Sequence, residues 1–80
     1  MIEVTLSMTL NQLNTGEKAT VQKADASNPI YQKLLKLGLT PNTVIECVGK
    51  SPFGDPKAFL LRGAVIALRY DDSRHIYIKP

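Results

Sequence analysis

The chain has one cysteine, one histidine, no tryptophan and only two phenylalanines in eighty residues. A single thiol, Cys47, excludes an internal disulfide and cannot hold a metal alone. One histidine, His75, with no serine or cysteine motif beside it, excludes a nucleophile–base triad within the chain. No apolar run approaches the roughly 20 residues a membrane helix needs. No basic-then-apolar leader opens the chain either, so the expected address is the cytoplasm. Charge of one sign is also scarce: ten basic against seven acidic residues give +3. The basic residues are scattered rather than striped with stacking aromatics, which argues against a nucleic-acid partner. A mild positive excess suits an acidic protein face or an anionic membrane surface.

What remains is one small folded domain. With 44% hydrophobic and 21% charged residues the chain has the composition of a globular protein, not a disordered one. A domain of this size buries only about 60–65% of the surface its unfolded form exposes. That leaves little core from which to carve a substrate pocket. A non-enzymatic binding module without a cofactor is the expectation.

The patterning predicts a mostly β domain of about five short strands, curled into a barrel, with one inserted helix and short helical turns. Residues 1–8 read as an N-terminal extension or an edge strand (IEVTL alternates), and residues 9–80 as the domain. Thr9 is placed to cap one helical turn carrying Leu10 and Leu13. Lys18–Ala24 alternates as a strand with Ala19 and Val21 on one face. Ser27 or Asn28 can cap a helix over 29–37, with Pro29 at its first position. In that helix Ile30, Leu34 and Leu37 form an apolar stripe, broadened by Tyr31 and Leu35. Gly38 supplies a left-handed stop, and Leu39 packs back on Leu34. Pro41-Asn42 is a turn with Asn at the positive-φ position.

Val44–Lys50 is the next strand, with Ile45 and Cys47 inward and Val44, Glu46 and Val48 toward solvent. A loop, Ser51–Pro56, leads to a hairpin whose arms run from Lys57 to Arg62 and from Ala64 to Tyr70, with Gly63 left-handed at the tip. Asp71–Arg74 reads as one turn of connector, and HIYIK as a closing strand with Ile76 and Ile78 inward.

LLKLGLTPNTVIECV, then PFGDP, then RGAVIALR and a final alternating strand together resemble the FeoA family of ferrous iron transport accessory proteins. The likeness covers roughly residues 9–79. It implies an SH3-like β-barrel with an inserted helix and a cytoplasmic protein that acts on the cytosolic domains of the membrane transporter FeoB. Recruitment to the inner face of the cell membrane would follow. Two departures stand out: Asn42 replaces the family's usual glycine, and the first seven residues lie outside the pattern.

The residues singled out for partner binding are Tyr31, Leu35, Leu39, Pro52, Phe53, Gly54, Asp55, Pro56 and Arg62. Prolines at both ends stiffen the PFGDP loop, and Phe53 is a large apolar side chain on an expected surface. It serves either as a docking anchor or as a plug tucked into the barrel's end. Leu35, Leu37 and Leu39 either edge a docking patch or belong to the core. Asp71, Asp72 and His75 are the one metal-like grouping, better read as solvated turn residues, so no metal site is assigned. Cys47 reads as a small buried hydrophobe. Arg62, at a hairpin tip, invites comparison with the arginine fingers that speed GTP hydrolysis. The alternative functions are therefore a regulator of the FeoB G domain or a generic barrel binding peptide or RNA. A weak homo-oligomer built on an exposed sheet edge is compatible with all of these.

Overall fold

Alternation in the strands and glycine or proline between them produce, among the described residues, six antiparallel strands in one curled sheet. The computed structural model describes residues 8–24, 29 and 31–79. The IEVTL segment, Ile30 and the Ser27 or Asn28 cap lie outside the described residues. The strands are β1 (Met8–Thr9), β2 (Lys18–Ala24), β3 (Val44–Lys50), β4 (Lys57–Leu61), β5 (Ala64–Leu68) and β6 (Ile76–Lys79). Their order across the sheet is β1-β6-β2-β3-β4-β5. The strand beyond the expected five is β1, a two-residue edge pairing Met8 with Ile78 and Thr9 with Tyr77.

The curl originates in β2. Lys18–Thr20 pairs with β3, whereas Thr20–Ala24 pairs with β6, and the register shifts between Val21 and Lys23. Such a bulge bends the strand and increases its twist, so one strand serves two halves of the sheet. A second shift lies between Cys47 and Gly49 where β3 meets β4. The inner faces supply Ala19, Val21, Ile45, Cys47, Phe59, Leu61, Leu68, Ile76 and Ile78 to one buried cluster. Cys47 is fully buried there, as its mid-strand position suggested.

Leu10 and Leu13 reach the same cluster from a 3-10 turn, Leu10–Gln12. The Thr9 amide donates to Gln12 Oε1 at 2.8 Å, the half of a capping box that satisfies the capping residue's own N–H.

Among the described residues the longer helix is α1 (Tyr31–Lys36), against the expected 29–37. Pro29 lies in a turn rather than in the helix, and Leu37 is its half-in last residue. The stop is a Schellman motif. Gly38 has φ of 91°, its N–H donates to Leu35 O, and the Leu39 N–H reaches back to Leu34 O at 3.1 Å. These bonds satisfy carbonyls that a helix end otherwise leaves bare. Leu34 and Leu39 are both buried in the core cluster. Asn42 has φ of 71°, so it fills the turn position where its amide side chain makes a left-handed residue affordable.

The hairpin arms are shorter than expected. The turn is Arg62-Gly63, and both residues have positive φ (50° and 78°), the pattern of a type I′ turn. The sequence had assigned the left-handed position to Gly63 alone. Tyr70 is not the end of a strand: it begins a short helix, α2 (Tyr70–Ser73), with Arg69 extended before it.

Candidate functional site

The Ser51–Pro56 loop is ordered by its own backbone. The Ser51 N–H donates to Pro56 O at 3.0 Å, and the Gly54 N–H to Ser51 O at 2.8 Å. The Ser51 hydroxyl donates to Asp55 O at 2.6 Å. Gly54 takes φ of 85°, and the Asp55–Pro56 peptide is cis. Six residues thus close on themselves, and Phe53 stands at the outside of the closure. Its ring is 96% exposed, so the plug reading of Phe53 is not what this fold does.

Asp55 faces inward to the chain. Its Oδ1 accepts the Tyr70 N–H at 2.7 Å, satisfying one of the free amides at the start of α2. The loop, the start of α2 and the 3-10 turn therefore share one corner of the molecule. A cleft of about 30 Å³ lies between them, lined by Asn11, Gly54, Asp55, Lys57, Leu68, Tyr70 and Ser73. That is room for little more than a water molecule, far below the roughly 300–1,000 Å³ of a small-molecule site. The corner instead presents surface: Phe53 outside, and Tyr70 55% exposed on the adjoining helix.

Lys57 fastens this corner and was not singled out from the sequence. Its ammonium donates to Asn11 O at 2.6 Å and Leu13 O at 2.8 Å, joining the start of β4 to the end of the 3-10 turn. Nothing local announces this, because the partners lie 46 and 44 residues away. Tyr70 was missed for the same reason: its helix depends on a carboxylate 15 residues earlier.

The other predicted residues lie elsewhere. Leu39 is 1% exposed, so it belongs to the core and offers no side chain to a partner. Burying it completes the Schellman contact with Leu34. Leu35 is half-buried. Tyr31 begins α1, and its side chain lies outside the described residues. Arg62 is exposed but bends back along the surface. Its guanidinium Nη2 lies 3.3 Å from Thr40 Oγ1 and 3.2 Å from Thr43 Oγ1, and its stem passes over Gly38, whose missing Cβ would sit 3.5 Å from Arg62 Cδ.

Arg62 therefore belongs with the end of α1. The Ser51–Pro56 loop adjoins the opposite end of β4, five residues away, or about 17 Å along the strand. The Ser51–Pro56 loop and the end of α1 are thus two separate places, and the residues singled out for partner binding divide between them.

Asp71 lies 3.8 Å from Arg74 and is exposed to solvent. Among the described residues, no group of three or more His, Cys, Asp or Glu side chains is placed to hold a metal ion. Among the same residues, no helix is long and apolar enough to cross a membrane.

The sequence profile of the FeoA domain matches residues 8–80. The chain belongs to the FeoA family. The family is linked to ferrous iron transport, and its members are small SH3-like accessory proteins. A FeoA-like protein from Clostridium acetobutylicum superposes with a TM-score of 0.87 at 29% identity, covering 95% of this chain and 88% of that one. Iron(II) transport protein A from Clostridium thermocellum gives 0.84 at 29% identity, over 90% of this chain and 44% of that one.

The zinc complex of Stenotrophomonas maltophilia FeoA gives 0.79 at 25% identity, over 90% and 89%. That protein is described as a procaryotic SH3 domain protein suggested to act as a bacterial ferrous iron transport activating factor. No curated protein sequence matches the chain. This FeoA-family domain has the SH3-like fold with its barrel left open, β1 and β5 forming the two edges of the sheet.

Proposed function

We propose that this FeoA-family chain is a cytoplasmic accessory protein of bacterial ferrous iron uptake that binds the cytosolic domains of a FeoB-type transporter. The docking element is the Pro52–Pro56 corner, with Phe53 as anchor and Tyr70 as its neighbour. The observation that carries this is an almost fully exposed phenylalanine on a loop closed by its own hydrogen bonds. Exposing such a ring is unfavourable in isolation, and holding it rigidly lowers the entropy lost when a partner covers it. Aromatic anchors of this kind dominate binding energy at protein interfaces. Binding then localises the chain to the inner face of the membrane.

The test is affinity for the isolated cytosolic domains of the transporter. Phe53→Ala is expected to weaken binding by about thirtyfold, roughly 2 kcal/mol, with the thermal midpoint unmoved. Wild-type affinity in both Phe53→Ala and Tyr70→Ala would sink the assigned corner. Single-turnover GTP hydrolysis by the transporter's G domain distinguishes the regulatory alternative. In that assay Arg62→Ala is expected to behave as wild type, because its guanidinium already faces Thr40 and Thr43.

A further inference from the structure

The two edges of the sheet differ in how they are protected. Among the described residues the β1 edge spans two, Met8–Thr9, and short edges resist adventitious pairing. The β5 edge is five residues, Ala64-Val65-Ile66-Ala67-Leu68, and carries no charge, proline or register shift. Ala64, Val65 and Ala67 are exposed, Val65 by 62%. These are the features by which natural edges are normally blunted, and β5 has none of them.

The hairpin fixes which backbone groups are free. A two-residue turn makes Leu61 and Ala64 the first hydrogen-bonded pair, so Phe59–Ile66 and Lys57–Leu68 follow as hydrogen-bonded pairs. The N–H and C=O groups of Val65 and Ala67 therefore point away from β4, toward the open edge. Among the described residues β5 has β4 as its sole strand neighbour.

We infer that β5 pairs antiparallel with β5 of a second copy, about a two-fold axis through Ile66. Val65 then faces Ala67 of the other copy and Ala67 faces Val65, each pair exchanging two backbone hydrogen bonds. Ile66 faces its equivalent at a non-hydrogen-bonded position, and Ala64 faces Leu68. Every residue of β5 thus finds a β5 partner, with small side chains set against large ones. Shifting the register by one residue would point outward groups at inward ones. A shift by two would move strand residues off the partner strand.

The charges agree with the centred register. Arg69 falls opposite Gly63 and Arg62 opposite Tyr70, so no two arginines are directly opposed. An isologous contact of this kind closes at two copies. A strand of about 17 Å covers less than the roughly 1,200–2,000 Å² typical of stable complexes, so the dimer is weak and depends on concentration.

Sedimentation of the full chain from micromolar to millimolar concentration is the test. A monomer–dimer equilibrium is expected, and Ala67→Pro should weaken it about tenfold or more. It removes an outward N–H at an edge position where proline leaves the β4 ladder intact. Ile66→Cys provides a readout that does not depend on that variant. Facing Cα atoms at a non-hydrogen-bonded pair are about 4.5 Å apart, within disulfide range. Oxidation should therefore link Ile66→Cys into dimers faster than it links Val65→Cys, whose opposite residue is Ala67. A monomer at every concentration overturns the pairing. So does a dimer indifferent to Ala67→Pro, or equal cross-linking of the two cysteine variants.

Discussion

The two ends of β4 use similar ingredients for different purposes. At one end the Ser51–Pro56 loop binds its own backbone and turns Phe53 outward. At the other, Leu39 is sealed in the core while Arg62 folds back over Gly38 onto two threonine hydroxyls. Both ends contain positive-φ residues, a turn and a large apolar side chain. The difference is where the apolar group finds cover. Leu39 follows a helix stop that returns the chain to the sheet, so its side chain meets Leu34. Phe53 sits at the tip of a loop closed by hydrogen bonds between Ser51 and Gly54, Asp55 and Pro56, and among the described residues nothing folds over it. The helix end is therefore covered by the core, and the loop is where a large apolar side chain is left bare, the feature on which the proposed docking rests.

Leu39→Ala should produce the largest effect. Removing a fully buried leucine costs about 2–5 kcal/mol, which denaturant titration should register. Phe53→Ala at the opposite end should move stability by less than about 0.5 kcal/mol. Equal losses at the two sites would erase the contrast.

Lys57→Met sharpens the comparison from within the loop corner. It keeps the side-chain bulk but takes a charged donor from the carbonyls of Asn11 and Leu13. The expected cost is about 1.5–3 kcal/mol, and Phe53-dependent binding should weaken with it as the corner loosens. Gly38→Ala comes next, at about 1–2 kcal/mol of thermal or chemical stability. That cost arises from the left-handed backbone and not from crowding, because the added Cβ would meet Arg62 Cδ at an ordinary 3.5 Å. Asp55→Ala should cost less than these three, about 1 kcal/mol, as expected for losing a side-chain acceptor at a helix start. Faster amide exchange at Tyr70 would identify that lost bond specifically.

Much of the scaffold could be read in advance because its signals are local. Period-two alternation placed Ala19, Val21, Ile45, Cys47, Ile76 and Ile78 inward, and all six are buried. Gly38 and Asn42 marked the left-handed positions, and Leu34 with Leu39 marked the helix stop. Where local signals failed, a distant group had intervened. Tyr70 continues an apolar run and reads as strand, yet the Asp55 carboxylate accepts its amide and a helix begins there. Arg62 reads as an outward tip residue, yet Thr40 and Thr43 draw it back.

The amino-acid sequence by itself determined the strands, the helix stop, the stiffened loop and the family. Each depends on backbone preference or on side-chain spacing within a few residues. Only the tertiary structure decided that Phe53 is bare while Leu39 is covered, that Lys57 bolts the loop corner to the 3-10 turn, and that β5 is left as an open edge. Those outcomes depend on which surfaces the curl of β2 brings together, and a contact between residues more than forty positions apart leaves no periodic trace in either one's neighbourhood.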